Sequence, residues 1–237
     1  MPDAVFTALG LDRRADGVET KARLEAYVGL LLKWQRRINL IGPATAADVW
    51  RRHILDCGQV MPLLPAGPLR VCDLGSGAGL PGLILAAFGV GSEPRVGEGP
   101  DVARGDVPAA CLDLVESDGR KAAFLREANR VMGTHARVLN NRIEAVGDAM
   151  GGGAADEAAD GYDVITARAL APLPKLLAMS ENLLKTSGQL LFLKGRGADA
   201  ELTESEKTWR MTASKTPSVS DPEGVLLLLT DIERRHG

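Results

Sequence analysis

The first 65 residues carry apolar side chains at the period of an amphipathic helix. One apolar stripe recurs at spacings of three, four and seven residues, and its members are Leu24, Tyr27, Val28, Leu31 and Ile38. A second stripe ends in the proline-containing segment 62–68 and consists of Trp50, Ile54, Cys57, Met61 and Leu64. The pattern predicts an N-terminal helical extension over residues 1–66 that packs as a cap on a larger domain.

From Leu69 onward, short apolar runs alternate with amphipathic segments. The predicted strands cover residues 69–74, 111–115, 137–139, 163–167, 189–194, 209–212 and 225–230. Helices are predicted between them, beginning near Pro81 and covering 121–132 and 173–184. Strands separated by helices predict an α/β fold with a doubly wound, seven-stranded sheet that ends in an antiparallel hairpin. We expect this domain to span residues 67–237, with surface insertions near 89–108 and 147–161.

Composition limits the class of protein and the cellular compartment that we expect for this chain. Its 237 residues are 45% hydrophobic and 25% charged, the average for soluble globular proteins. No apolar run reaches the ~18 residues that span a bilayer, and Met1-Pro2-Asp3 lacks the pattern of a secretory signal. The cysteines Cys57, Cys72 and Cys111 form no CxxC pair, which indicates a reducing compartment. We therefore expect a cytoplasmic protein without a membrane partner, and we expect a monomer.

The net charge of −3 argues against a broadly basic, nucleic-acid-binding surface. The acidity is local, however, because removing five acids of one segment changes the net charge to +2; these are Asp148, Asp156, Glu157, Asp160 and Asp163. Basic residues are densest in the predicted cap, between Lys33 and Arg52. Recognition of any nucleic-acid partner should then rely on a shaped substrate more than on overall charge.

A glycine-rich turn follows the first predicted strand. The segment reads Asp73-Leu74-Gly75-Ser76-Gly77-Ala78-Gly79-Leu80-Pro81-Gly82, a layout that lets backbone approach a nucleotide closely. The dinucleotide fingerprint G-x-G-x-x-G matches at Gly77, Gly79 and Gly82, but it begins two residues too late. Read from Asp73, the pattern is acidic-x-G-x-G-x-G, the S-adenosylmethionine loop of class I methyltransferases. We favour this second interpretation.

Glu116 follows the second predicted strand and supports a ribose-bearing cofactor. A carboxylate at this place can accept both ribose hydroxyls. Its separation from Gly75 is 41 residues, against the usual spacing of about 20, and the insertion near 89–108 accounts for the excess. The alternative is an acidic surface residue at a strand end, but the neighbouring glycine turn favours the ribose role.

At these residues the sequence resembles the bacterial 16S ribosomal RNA guanine-N7 methyltransferases, also known as glucose-inhibited division protein B. The Leu80-Pro81-Gly82 extension separates this family from methyltransferases at large. Further matching segments are Asn39-Leu40, Arg52-His53-Ile54-Leu55-Asp56, Leu114-Val115-Glu116-Ser117, Lys121-Ala122-Ala123-Phe124-Leu125, Asn141-Arg142-Ile143-Glu144, Thr166-Ala167-Arg168-Ala169 and Leu193-Lys194-Gly195. Cys57 stands where the family more usually has serine. The resemblance runs in order over residues ~25–197, and the long acidic segment 147–161 is unusual for it.

The resemblance implies S-adenosylmethionine as cofactor, S-adenosylhomocysteine as product, and 16S ribosomal RNA or the small ribosomal subunit as partner. It implies that Gly75 and Leu80 contact the cofactor, that Ile143 and Glu144 lie at the adenine, and that Arg168 lies near cofactor and target base. Lys194 resembles the family's active-site lysine. Together with the glycine turn, the predicted cofactor-binding residues are Asp73, Gly75, Ser76, Gly77, Gly79, Leu80, Glu116, Ile143, Glu144 and Arg168.

Methylation of guanine N7 fits the residues that are present. N7 carries an in-plane lone pair and no proton, so attack on the sulfonium methyl needs alignment and no general base. The chain has no Pro-Cys dipeptide for covalent attack on a pyrimidine, and Ala167-Arg168-Ala169-Leu170-Ala171-Pro172 differs from the motif used for exocyclic amines. We expect no metal site.

The predicted catalytic residues are Lys194, Arg168 and His53, in that order of support. Lys194 or Arg168 would donate to guanine O6 or to a nearby phosphate, and a purely structural ion pair is the alternative. His53 would line the target pocket, although a structural histidine three residues before Asp56 is the plainer interpretation. The predicted RNA-binding residues are Arg36, Arg37, Arg51 and Arg52, which could equally form a solvated face.

Two other functions stay open from the residues alone. One is an NAD(P)-dependent oxidoreductase that uses the Gly77 to Gly82 match. The other is a nucleotide-sensing RNA-binding module without catalysis.

Overall fold

The computed structural model describes residues 2–92, 110–151 and 161–235. Within them, seven strands form one sheet: β1 (Arg70–Leu74), β2 (Cys111–Val115), β3 (Arg137–Leu139), β4 (Tyr162–Arg168), β5 (Leu184–Lys194), β6 (Trp209–Pro217) and β7 (Val225–Arg234). The strand order is β3-β2-β1-β4-β5-β7-β6. The first five strands are parallel, whereas β7 lies antiparallel to both β5 and β6.

Eight α-helices of the described residues surround the sheet: α1 (Pro2–Ala8), α2 (Gly17–Gln35), α3 (Asp56–Gly58), α4 (Gly82–Ala87), α5 (Gly119–Met132), α6 (Ile143–Gly151), α7 (Leu173–Ser180) and α8 (Ala198–Ser205). Short 3-10 turns cover Leu11–Arg13, Pro43–Asp48 and Met61–Leu63, and a π-helical turn over Trp50–Leu55 leads directly into α3. The helical segments at the start of the chain thus run from Pro2 to Leu63.

The sequence prediction of an α/β fold with a seven-stranded sheet and a terminal hairpin is confirmed. The helix predicted over 173–184 is wrong in its second part, because α7 ends at Ser180 and Leu184 is the first residue of β5. The leucines of this segment suit a buried helix and a buried strand equally well. Strands β6 and β7 are also longer than predicted. The predicted insertions near 89–108 and 147–161 lie mainly outside the described residues.

Alternate residues of the central strands pack against two separate helical layers. Val71 of β1 and Leu191 of β5 belong to a core formed with α2, α4 and α5. Their neighbours Cys72 and Leu190 belong to a second core, formed with α6 and α7. This alternation follows the period of two in a β-strand, which sends successive side chains to opposite faces. The sheet is therefore the middle layer of three.

The N-terminal helical residues share the first of these cores. Leu24, Tyr27 and Leu31 of α2 are fully buried in the same cluster as Leu83 of α4 and Phe124 of α5. The helical extension thus covers one face of the sheet and is continuous with its core, while the boundary drawn at residue 66 stays a prediction. None of the helices in the described ranges is both long enough and apolar enough to cross a membrane.

Candidate functional site

The cofactor loop, residues 75–81, connects β1 to α4 at the carboxyl edge of the sheet. Gly75, Gly77 and Gly79 all have positive φ, at 61°, 55° and 81°, which side chains other than glycine rarely adopt. A Cβ on Gly75 would lie 2.5 Å from the Leu170 side chain, and one on Gly79 would lie 2.4 Å from Leu83. A Cβ on Gly77 would meet only the Gly75 carbonyl oxygen, at 3.7 Å. Gly77 is thus the glycine of this trio that leaves space for a ligand, and the other two serve packing.

Asp73 lies directly beneath this loop and is fully buried. Its carboxylate accepts the Gly82 amide at 3.2 Å and the Thr166 hydroxyl at 2.9 Å. Burial raises its pKa to about 6, against the opposing effect of the bonds from Thr166, Ser76 and Gly82. The structure therefore places Asp73 where it holds the loop and the start of α4 in position, with both carboxylate oxygens occupied by protein groups.

Glu116 stands at the end of β2, beside the loop, and is buried. One carboxylate oxygen accepts the Gly77 amide at 2.9 Å, and the other accepts the Asp118 amide at 2.7 Å. A carboxylate offers about four lone pairs, so two remain for hydroxyl donors. The structure thus brings the predicted ribose-binding carboxylate and Gly77 into direct contact. This pairing and the open space at Gly77 fit the ribose and amino-acid parts of S-adenosylmethionine.

The predicted adenine-binding residues lie on the next element along the sheet. Ile143, buried, and Glu144, exposed, begin α6, which is separated from β3 by three residues. Asn140, which sequence reasoning did not single out, links them to the loop region, since its side-chain amide donates to the Glu116 carbonyl oxygen at 2.8 Å. Ser76 and Leu80 complete the predicted set: the Ser76 amide donates to the Val115 carbonyl at 3.0 Å, and Leu80 is buried.

A second feature of the same edge is a depression of about 350 Å³ between the ends of β4 and β5 and the hairpin of β6 and β7. We call it the target cleft because the predicted catalytic residues Lys194 and Arg168 line it. Its lining includes Arg168, Ala169, Lys194, Glu201 and Asp221. Ala169 has a φ of 54°, an uncommon conformation for a residue with a Cβ. The next residue, Leu170, lies against Gly75, so cofactor loop and target cleft adjoin at the end of β4.

Lys194 ends β5 inside this cleft, with its side chain only 10% exposed. Its ammonium group forms an ion pair with Glu201 at 2.6 Å and donates to the Ala171 carbonyl at 3.0 Å. Glu201 also accepts the Leu173 amide at 2.6 Å, which fixes the carboxylate to the start of α7. This ammonium group is thus charge-compensated, and a helix terminus holds its partner in place.

Arg168 ends β4 on the other side of the cleft, but it faces the N-terminal helices. Its Nε forms an ion pair with Asp56 at 3.0 Å, Nη1 bonds to His53 Nδ1 at 2.9 Å, and Nη2 donates to the Arg52 carbonyl at 2.8 Å. All three nitrogens therefore have partners on the helical cap. This arrangement corresponds to the structural ion pair that the sequence left as an alternative for Arg168.

His53 lies behind Arg168 and does not line the cleft. Its Nε2 contacts the Thr45 hydroxyl at 2.8 Å, and that hydroxyl donates its own proton to the Gly42 carbonyl. Nε2 must then carry the proton, which leaves Nδ1 to accept from Arg168. Burial and the nearby Arg168 and Arg52 lower the pKa of His53 to about 4. The ring is neutral at pH 7 and orients Arg168.

Asp56 joins the helical cap to the hairpin, a role that the sequence did not reveal. It accepts the hydroxyl of Ser220 and, at 3.2 Å, that of Ser218, in addition to its pair with Arg168. Gln59 continues the contact by accepting the Val219 amide at 2.9 Å. The sequence signal for Asp56 was its place in the segment Arg52-His53-Ile54-Leu55-Asp56, which resembles a known family. That segment could not identify the serine partners, because they lie about 160 residues away along the chain.

The predicted RNA-binding arginines divide into two groups. Arg36, Arg37 and Arg51 are exposed on the helical cap, whereas Arg52 is partly buried and pairs with Asp221 at 3.0 Å. Arg52 therefore belongs to the contact between cap and hairpin. Among the described residues, no cluster of three or more His, Cys, Asp or Glu side chains has the arrangement of a metal site.

Comparison with known proteins gives a family for this chain. The family model GidB, described as rRNA small subunit methyltransferase G, matches residues 20–96 and 101–225. Ribosomal RNA small subunit methyltransferase G of Paramagnetospirillum magneticum is 47% identical over 98% of this chain and 97% of that protein. The protein of the same name from Rhodospirillum rubrum is 43% identical over 91% of this chain and 92% of its own length.

Solved structures give the fold. A ribosomal protein L11 methylase from Lactobacillus delbrueckii subsp. bulgaricus aligns with a TM-score of 0.51 at 15% identity, over 78% of this chain and 79% of that one. A point mutant of MtNAS in complex with S-adenosylmethionine aligns with a TM-score of 0.50 at 16% identity, over 92% of this chain and 80% of that one. The sheet is that of the class I S-adenosylmethionine-dependent methyltransferases.

Proposed function

Because this chain belongs to the GidB family of rRNA small subunit methyltransferases G, we propose that it transfers a methyl group from S-adenosylmethionine to N7 of a guanine in 16S ribosomal RNA. The observation that carries the proposal is the junction of two features at the end of β4. The cofactor loop and the target cleft adjoin there, with Leu170 against Gly75 and Lys194 across the cleft.

The residues of the first half of the sheet hold the cofactor. Gly77 gives space for it, the free lone pairs of Glu116 accept the ribose hydroxyls, and Ile143 and Glu144 contact the adenine. Bound S-adenosylmethionine supplies an electrophilic methyl group on a sulfonium centre. Asp73 acts indirectly, since its fully buried carboxylate accepts from Gly82 and Thr166 and keeps the loop in shape.

The second half of the sheet orients the target base. Guanine N7 needs no deprotonation before it attacks, so the chain must supply position and a compatible electrostatic field. His53, neutral and bonded at both ring nitrogens, is suited to orient Arg168 and takes no part as a base. Arg168 in turn joins the end of β4 to the cap.

Lys194 is the residue best placed to touch the target, by donating to guanine O6 or to an adjacent phosphate. Methylation leaves a positive charge on the guanine ring, which an uncompensated cation nearby would oppose. Glu201, 2.6 Å from the ammonium group, removes that conflict because the pair carries no net charge. Lys194 can then offer a proton for hydrogen bonding without repelling the product.

RNA outside the cleft contacts the exposed face of the helical cap through Arg36, Arg37 and Arg51. With a net charge of −3, the protein has little general attraction for RNA, so we propose a folded part of the small subunit or its RNA as the substrate. The proposal includes action in the cytoplasm as a monomer. The two alternatives, an NAD(P)-dependent oxidoreductase and a non-catalytic RNA-binding module, receive no support from the family match.

The decisive experiment follows labelled methyl transfer to small-subunit particles and to naked 16S RNA from cells that lack the modification. We expect label in 7-methylguanine after base analysis, with the preferred substrate identifying free RNA or particle. Calorimetry with S-adenosylmethionine and with NAD is the companion measurement, and we expect heat from the first only. Label in any other base, or binding of NAD alone, would overturn the proposal.

A further inference from the structure

The cofactor loop is held from its two sides by very different contacts. On the sheet side, the Ser76 amide bonds to Val115 and the Gly77 amide bonds to Glu116. On the helical side, the Tyr27 hydroxyl of α2 donates to the Ala78 carbonyl at 2.7 Å. Among the described residues, this is the one hydrogen bond between the N-terminal helical segments and residues 75–81. It joins positions 51 residues apart.

The Tyr27 hydroxyl is a fixed donor. The side chain is fully buried, and its ring packs on Phe124 of α5 with 6.3 Å between centroids. Burial, with the nearby Cys57 and Asp73, raises the pKa of the phenol well above its ordinary 10, so the group keeps its proton. Ala78 is also buried, and its carbonyl therefore has no water to replace a lost partner.

We propose that Tyr27 is a positioning residue for cofactor binding, because it fixes the conformation of the cofactor loop from the helical cap. This inference rests on the proposed function, since it concerns the same S-adenosylmethionine site. Three glycines at positive φ make the loop easy to rearrange, and a loop that loses its bond at Ala78 can turn that carbonyl towards water. Cofactor binding must then restore the binding conformation, and affinity falls by the fraction of molecules that retain it.

Tyr27→Phe tests this inference, with Trp34→Phe as the matched control. Trp34 lies on the same helix, packs on the same Phe124, and loses a hydrogen bond of 3.1 Å to Glu127 that is remote from the loop. We expect Tyr27→Phe to raise the dissociation constants of S-adenosylmethionine and S-adenosylhomocysteine about tenfold by calorimetry, and Trp34→Phe to change them less than about twofold. In steady-state assays the Tyr27 effect should fall on KM for the cofactor more than on kcat.

Two further measurements separate positioning from a purely structural role. Amide hydrogen exchange at Gly79 and Leu80 should accelerate in Tyr27→Phe and stay unchanged in Trp34→Phe. Urea unfolding of the ligand-free proteins should show similar midpoints for the two variants. The inference is overturned if the wild type binds S-adenosylmethionine and Tyr27→Phe binds it equally well, or if both variants weaken binding alike. Failure of the wild type to bind S-adenosylmethionine would instead overturn the proposed function.

Discussion

The two halves of the functional edge, the cofactor side at β1 and β2 and the target side at β4 and β5, hold their charged groups in opposite ways. On the cofactor side the charges are carboxylates, and backbone amides satisfy them: Glu116 accepts from Gly77 and Asp118, and Asp73 accepts from Gly82. On the target side the charges are cations, and each has a carboxylate partner, Glu201 for Lys194 and Asp56 for Arg168.

This difference suits the two kinds of ligand. Backbone amides are fixed by the fold, so the cofactor side is preorganised for a small molecule of constant shape. A side-chain ion pair can keep its carboxylate and still donate a further N–H to a phosphate or a base edge, as proposed for Lys194 beside Glu201. The proposed recognition therefore differs between the two sides: side-chain donors held by ion pairs on the target side, and a shape set by backbone amides on the cofactor side.

The largest effect should come from removing Lys194, one of the two target-side cations described above. We expect Lys194→Ala to slow methyl transfer between a hundredfold and a thousandfold, or ~3–4 kcal/mol, while the dissociation constant of S-adenosylmethionine stays the same. Lys185→Ala is the control. Lys185 lies near the start of the same strand, β5, and pairs with Asp163 at 2.6 Å, far from the cleft. Single-turnover kinetics give the comparison. Equal rates for the two variants would remove Lys194 from the target side.

A second, intermediate effect concerns pH and the buried Asp73. Its folded pKa of about 6 lies above the ordinary 3.8, so the folded state is stabilised by the neutral form. That stabilisation is complete below about pH 4 and is lost as the pH rises through about 6. Asparagine at this position stays neutral at every pH. As the pH rises from about 4 to about 7, we therefore expect the unfolding free energy of the wild type to fall by about 2–3 kcal/mol relative to that of Asp73→Asn.

Asp163→Asn is the control, because the stability difference between it and the wild type should change with pH in the opposite direction. Asp163 lies at the other end of β4, where the effect of burial is outweighed by the Lys185 ammonium and the Arg70 amide, which lower its pKa. The wild type should therefore gain stability relative to Asp163→Asn as the pH rises through the acidic range. Urea unfolding at several pH values measures both differences. Parallel pH profiles for the two variants would contradict the assignment of a raised pKa to Asp73.

The smallest effect should come from cations outside both sites. We expect Arg36→Gln combined with Arg37→Gln to weaken binding of 16S RNA about fivefold and to reduce the slope of log affinity against log salt by about 1–2. Methyl transfer at saturating RNA should be unchanged. Lys207→Gln with Arg210→Gln removes the same charge elsewhere, and binding titrations should show no loss for it. An equal loss would mean that only net charge matters.

The sequence predicts the cofactor side well, because its signals are local. The strand, the glycines at fixed spacing and the carboxylate of Glu116 at the next strand end all follow from short segments. The carboxyl ends of parallel strands meet at one edge, which also places Lys194 and Arg168 correctly. Pattern alone did not tell which glycine has open space beside it, since that depends on Leu170 and Leu83, which occupy the space next to Gly75 and Gly79.

The target side was harder to foresee because its contacts are long-range. Asp56 meets Ser218 and Ser220 across more than 160 residues, and Glu201 reaches Lys194 from a helix that the apolar pattern did not mark. Periodicity reports how each segment is buried and gives no information on which distant polar groups pair. The leucines around Leu184 show a related ambiguity, since a buried helix and a buried strand need the same residues.

The contact of Asp56 with the hairpin also has a consequence for the order of folding. Bringing together residues some 160 positions apart lowers the entropy of the chain, and this cost precedes the stabilisation that the new hydrogen bonds provide. We therefore expect this contact to form late. During synthesis on the ribosome, Asp56 cannot form this contact until the segment between β6 and β7 has been made. The cofactor loop and β1 to β4 are complete much earlier in synthesis. A nascent chain should thus acquire the capacity to hold its cofactor before it can present a target cleft.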